Sequence, residues 1–175
     1  MSAITNKGAF PQSQMRALQS KVNFFYLSYF AMILLGDCLF YYEWNFKMDI
    51  LLSIKPKYVK KIIRYDKKFE FRKAVPKKSF ERVFIYSSAP EKKIVGMFTV
   101  NNIYVGTPAS IWDKTKQEAG ITYEDYNIYF SNKELAYALE IENLIIFKKP
   151  IIPSDVWASF KAPQSFCYIE GDLLI

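Results

Sequence analysis

From Asp49 onward the chain is a succession of short apolar or alternating runs with little sequence between them. The runs are DILLSI (49–54), KFEFRKAV (68–75), RVFIYSS (82–88), IVGMFTVNNIYVG (94–106), ELAYALEIENLIIF (134–147) and SFCYIE (165–170). Each has the apolar content or the two-residue period of a strand. Helical periodicity is confined to a few places. Pro56 suits a first helical turn, and after it Tyr58, Val59, Ile62 and Ile63 recur at helical spacing, with Lys57, Lys60, Lys61 and Arg64 on the other face. Thr107 can cap a helix that begins at Pro108 and closes at Gly120. Thr122 opens a second short helix with Glu124 and Asp125 in its first turn. Pro150, Pro153 and Pro163 break up a loop-rich tail before the last strand. The predicted order is β-α-β-β-β-α-α-β-β. Few strands are joined by long helices, which argues against a doubly wound sheet. The expected class is α+β, mostly β: a small mixed β-barrel, largely antiparallel, with flanking helices at its side or mouth.

The first 47 residues read as a separate extension, and the domain is expected over 48–175. Residues 22–42, VNFFYLSYFAMILLGDCLFYY, are apolar apart from Asn23, Ser28, Gly36 and Asp37. This predicts an apolar helix, and about 20 such residues span a bilayer. Three readings stay open: a membrane helix, upstream translation that does not belong to the domain, or a helix packed on it. No small-residue cleavage site follows, so a signal peptide is disfavoured. The expected location is the cytoplasm, with membrane association resting on 22–42 alone.

Charge is unevenly spread. Lys55 to Lys93 hold 14 basic and 4 acidic side chains, whereas 94–175 hold 6 basic and 10 acidic. A local excess of this kind favours an anionic partner such as nucleic acid, phosphate or an acidic membrane. The chain has no histidine, which excludes Ser-His-Asp and Cys-His catalysis and any histidine metal site within it. Cys38 and Cys167 lack CxxC spacing, so neither a structural metal nor a cofactor is expected. The six glycines are scattered and form no phosphate loop.

Within the basic region, YDKKFEFRK (65–73) carries six charges in nine residues. On a strand over 69–73 the side chains alternate, which puts Phe69 and Phe71 toward the core and Glu70 and Arg72 on the other face, about 7 Å apart. In solvent such a cluster is a set of weak ion pairs. In a cleft it can hold a phosphate, or a desolvated Lys can act as base or nucleophile with Glu assisting.

YDKKFEFR (65–72) resembles the G-x-K-x-x-E-x-R motif of the ASCH domain family, part of the PUA-like superfamily. Lys67, Glu70 and Arg72 match, and Tyr65 replaces the motif glycine. LLSIKPKYVKKII resembles the family's first strand and helix, and GITYEDYNIYF, AYALEIENLIIF and APQSFCYI resemble later parts, so the likeness covers about 48–170. It implies a PUA-like barrel with a cleft lined by the motif residues. It also implies an RNA-linked role, with coactivator and transcription-associated functions proposed for the family. Some relatives are amidohydrolases acting on N4-acetylcytidine through a Lys, a Thr and a Glu, and others resemble ribonucleases. On the amidohydrolase pattern Lys67 falls on the catalytic Lys, Glu70 stands at the Thr position, and the second carboxylate is Glu124 or Asp125.

Two functional expectations follow. One is an RNA-binding or nucleotide-binding module with a basic cleft built from Lys55, Lys67, Glu70, Arg72, Lys73 and Ser165. The other is a small hydrolase or ribonuclease using Lys67, Glu70 and Glu124. Further candidates are Tyr86, Ser87 and Ser88 at a strand end, Gln164 and Tyr168 in the last segment, and Trp112 and Tyr123, for which core packing is the default.

Overall fold

A computed structural model describes residues 48–169. The extension over 1–47 and its apolar run at 22–42 lie outside the described residues. Among the described residues, no helix is long and apolar enough to cross a membrane.

Six strands form one mixed sheet: β1 (Met48–Ile54), β2 (Phe69–Arg72), β3 (Phe80–Ser87), β4 (Lys93–Gly106), β5 (Ala136–Ile151) and β6 (Phe166–Ile169). Their order across the sheet is β2-β5-β4-β3-β1-β6. β1 runs parallel to β3, and the remaining neighbours are antiparallel. The helices are α1 (Pro56–Ile63), α2 (Pro108–Thr115), α3 (Tyr123–Tyr129) and the single turn α4 (Pro153–Val156), with a 3-10 turn at Lys116–Glu118.

Burial explains why DILLSI is continuously apolar. Ile50, Leu52 and Ile54 point to one face of β1, where they meet Val59 and Ile62 of α1 together with Val83, Ile85 and Phe98. Leu51 points to the other face and joins Phe84, Tyr86, Ile94, Phe147 and Ile169, closed over by Trp157 and Phe160. A strand covered on both faces has no polar side. The third cluster lies under the other end of the sheet. There Phe69 and Phe71 of β2 pack with Ile111 of α2, Tyr126 and Phe130 at α3, and Ala136 and Ala138 of β5. Trp112 joins this packing through Tyr126, as its helical position suggested, whereas Tyr123 touches Trp112 from outside and is 55% exposed, so core packing does not hold for it.

Two expectations need correction. The sheet does not close into a barrel, because β2 and β6 are its two edges and do not pair. β2 and β6, of four residues each, pair only with their inner neighbours β5 and β1. A side chain spans the gap between the edges: Arg72 at the end of β2 donates to the carbonyls of Ser53 on β1, at 2.7 Å, and of Ser165 ahead of β6, at 3.4 Å. The second correction concerns Pro150, which does not end the fifth strand. β5 runs on to Ile151, and pairing passes from Gly96–Ile146 to Ile94–Ile151 across an irregular stretch that contains the proline. Proline lacks an N–H for the ladder, and an irregularity is where a strand tolerates it.

Candidate functional site

The site begins with how α1 ends. The N–H of Tyr65 donates to the Ile62 carbonyl and that of Asp66 to the Lys61 carbonyl, each at 2.9 Å, while Tyr65 adopts φ 61. This is the Schellman arrangement, whose left-handed position is usually glycine. The departure at Tyr65 therefore keeps the turn a glycine would make, with an exposed tyrosine in place of a hydrogen. The turn aims Lys67 inward.

Lys67 is 3 % exposed, and Glu70 and Arg72 are each 6 % exposed. Lys67 Nζ donates to the Ala119 carbonyl at 3.1 Å and lies 3.7 Å from Glu70 Oε2. Arg72 Nη2 reaches Glu70 Oε1 at 3.0 Å, so the side chains close the separation expected from the strand period. The Lys67 ammonium also sits over the rings of Phe71 at 4.5 Å and Tyr58 at 5.4 Å. Two buried atoms of the triad, Glu70 Oε2 and Arg72 Nε, have no hydrogen-bond partner. Such atoms are rare in native interiors. Burial pulls the Lys67 pKa down from 10.5 to about 8, the Glu70 carboxylate working against that shift and the Arg72 guanidinium with it.

Gly120 holds Lys67 in place. It has φ 60, and a Cβ there would stand 2.3 Å from Lys67 Cβ and 2.8 Å from its Cα. The backbone thus rests directly on the lysine stem. One residue away, Ala119 supplies the carbonyl that Lys67 binds. In the sequence Gly120 reads only as the residue that closes a helix. Its contact with residue 67 carries no local sequence signal, because 52 residues separate Lys67 from Ala119.

The triad forms part of the lining of an open cleft of about 890 Å³. The cleft is lined by most of the predicted residues: Lys55, Lys67, Glu70, Arg72, Lys73 and Ser165, with Tyr86, Ser88 and Gln164. Ser165 lies 3.4 Å from Arg72 Nη1 through its Oγ. Lys73 is exposed, its ammonium 4.9 Å from the Tyr129 ring centre. Tyr168 lies elsewhere, accepting from the Lys78 N–H at 2.9 Å, and Ser87 is buried against Glu91. Of the two carboxylates left open on α3, Asp125 lines the cleft and Glu124 is exposed outside it. Asp125 Oδ2 accepts from Lys57 Nζ at 2.8 Å and from the Tyr58 hydroxyl at 3.3 Å, and the Lys57 bond holds its carboxyl below the usual range. Tyr58 and Lys92 are cleft residues that sequence reasoning did not single out, and Lys57 of the basic helix face also lines the cleft. Among the described residues, no three His, Cys, Asp or Glu side chains gather as metal ligands.

The ASCH domain family matches this chain over residues 52–145. The chain belongs to the ASCH domain family. Its match runs from the end of β1 through most of β5 and includes the triad. The ASCH domain-containing ribonuclease of Zymomonas mobilis is 26% identical over 133 residues, covering 72% of this chain and 87% of that one. The crystal structure of ASCH from Zymomonas mobilis superposes with a TM-score of 0.65 at 26% identity, covering 70% of this chain and 87% of the other. The large ribosomal subunit protein uL22 of Ureaplasma parvum is 29% identical over 122 residues, which is 69% of this chain but only 39% of that protein. This ASCH domain therefore spans about two fifths of the length of that ribosomal relative.

Proposed function

We propose that this ASCH domain binds RNA in the cleft. The observation that carries the reading is the triad itself. Three titratable side chains are buried at an open cleft, and two of their polar atoms are unpartnered. Burying charge is costly unless it is paired and hydrogen-bonded. A ligand that supplies an anion to Arg72 and a donor to Glu70 Oε2 would complete the arrangement. A nucleotide carries both, as phosphate oxygens and as base or sugar N–H and O–H groups. The exposed ammonium groups of Lys55 and Lys73 add phosphate contacts independent of sequence. Support also comes from the relatives, one named as a ribonuclease and one as a ribosomal protein.

A second reading, RNA cleavage, rests on Lys67. With its pKa at about 8, roughly a tenth of this lysine is neutral near pH 7. A neutral amine can take the proton of a ribose 2′-hydroxyl. The 2′ oxygen then bonds to phosphorus, the bond from phosphorus to the 5′ oxygen breaks, and water protonates the leaving 5′ oxygen. The products are a 2′,3′-cyclic phosphate and a free 5′-hydroxyl. Arg72 would stabilise the added charge on the phosphoryl oxygens. Deacylation of an N4-acylated nucleoside would use the same lysine, with Glu70 where the amidohydrolase relatives carry Thr.

The test is fluorescence anisotropy of a short labelled single-stranded RNA with the full chain at two salt concentrations. Binding should weaken steeply with salt, and Lys55→Gln with Lys73→Gln should weaken it further without lowering the melting temperature. Absence of binding at low salt would refute the RNA reading. Gel analysis of the same mixtures, with an acylated cytidine assayed alongside, reports whether either bond is broken and whether Lys67→Met abolishes the chemistry.

A further inference from the structure

The cleft has two chemically different sides, bridged at the bottom by Arg72. On the β2–α3 side, Ile121, Ile128 and Tyr129 line it, Ile128 being 69% exposed and Tyr129 36% exposed. Ile128 and Tyr129 are large groups held open to solvent beside a charged floor, and Ile121 is partly buried behind them. On the other side stand the ends of β1 and β3 and the turn that follows. The Ser88 N–H donates to the Ile54 carbonyl at 2.9 Å, which ties this turn to the start of α1. The turn brings Lys92 to the cleft, where it joins Lys55. Neither lysine is in an ion pair among the described residues, whereas Lys57 and Lys68 each hold a carboxylate. Lys92 is moreover kept at φ 52, a left-handed conformation costly for a side chain of this kind. Strained backbone at a cleft edge is where functional groups are held in position.

Resting on the RNA reading, we propose that the cleft takes one unpaired nucleotide in a fixed orientation. Its base packs on the Ile121, Ile128 and Tyr129 side, and its flanking phosphate is held by Lys92 and Lys55. The floor groups are almost fully buried, so a base within a duplex cannot reach them, and the strand must be single or the nucleotide extruded. Lys73 covers the Tyr129 ring. An exposed cation–ring contact is weaker than a base stack, so the entering base displaces this ammonium and leaves it for the next phosphate.

The test compares three proteins by anisotropy over a salt series with a single-stranded RNA and its duplex. Lys92→Asn is chosen because asparagine tolerates φ 52. It should weaken binding several-fold and lower the slope of log affinity against log salt by about 0.7, one phosphate contact on a single strand. Tyr129→Leu should weaken binding about fivefold or more while leaving the slope unchanged. Duplex RNA should bind more weakly than the single strand to all three. If the unaltered protein binds no RNA, the underlying reading fails and this inference with it. If it binds but Lys92→Asn keeps the full slope, or Tyr129→Leu shifts the slope rather than the affinity, RNA binding stands and the orientation is overturned. Equal affinity for duplex overturns the requirement for an unpaired nucleotide.

Discussion

Gly120→Ala separates what the backbone contributes to the site from what the charges contribute. Two effects add. Gly120 has φ 60, where an L side chain costs roughly 1–2 kcal/mol. The new Cβ would also stand 2.3 Å from Lys67 Cβ and 2.8 Å from Lys67 Cα, and the latter is backbone that cannot rotate away. Forced overpacking of this kind costs about 1–3 kcal/mol. The expected loss is therefore about 2–5 kcal/mol, a large part of the roughly 5–15 kcal/mol by which domains are usually stable. The chain contains its own control for the first effect. Tyr65 has nearly the same dihedral, φ 61, but its side chain is 66% exposed and nothing crowds it. Tyr65→Gly should stabilise the domain by about 1 kcal/mol, reporting conformation alone. Urea unfolding of both variants gives the two numbers, and their difference in magnitude is the steric part. A Gly120→Ala loss no larger than the Tyr65→Gly gain would refute the argument that Gly120 is needed for close approach to Lys67. RNA anisotropy adds a second readout, since a displaced Lys67 should lower affinity in Gly120→Ala and not in Tyr65→Gly.

Lys67→Met and Arg72→Met should behave differently. Removing Lys67 leaves Glu70 paired to Arg72, so Lys67→Met should change stability near neutral pH by about 1 kcal/mol or less, with binding reduced. Arg72→Met leaves Glu70 with only the more distant Lys67 and removes the donor to the Ser53 carbonyl across the open sheet edge, so a loss of about 3–5 kcal/mol is expected in chemical denaturation. The Lys67 pKa also fixes a pH dependence. It lies at about 8 in the folded protein and 10.5 in a free chain, so between these values the unfolded state binds more protons and stability rises with pH. The difference in unfolding free energy between the unaltered protein and Lys67→Met should shift in favour of lysine by up to about 3 kcal/mol from pH 8 to 10.5. A difference that stays flat over that range would show Lys67 to be solvated.

Much of this architecture could be read along the chain, because strand periods and helix starts are local properties. DILLSI, the Pro56 helix, the Thr107 and Thr122 caps and the inward pair Phe69 and Phe71 all sit where their own residues put them. The motif order also led to the triad and to Lys55, Lys73 and Ser165 in one cleft. What was not legible depends on contacts between distant segments. Whether the sheet closes depends on where β2 and β6 are placed by their neighbours β5 and β1. Choosing Asp125 over Glu124 as a cleft residue requires knowing which face of α3 meets α1, and both occur in the same first turn. Gly120 and Lys92 matter through backbone dihedrals that no pattern of apolar residues encodes.

Arg72 links the architecture to the proposed function. An open sheet with two four-residue edges leaves the Ser53 carbonyl facing the gap, and one guanidinium satisfies it, reaches the Ser165 carbonyl that also accepts the Ser53 N–H, and pairs with Glu70. A lysine could not do this, because its ammonium is a single point charge without the planar fork. Had the strands met and closed a barrel, backbone bonds would have filled the gap and no charge would be needed there. The incomplete sheet therefore both creates the cleft and requires a buried cation at its floor. That cation in turn needs Glu70, and Glu70 draws in Lys67. The same unclosed edge accounts for a triad that is buried yet reachable. It also predicts that variants restoring packing without the fork, such as Arg72→Lys, will keep the charge and still lose both the stability and the ligand.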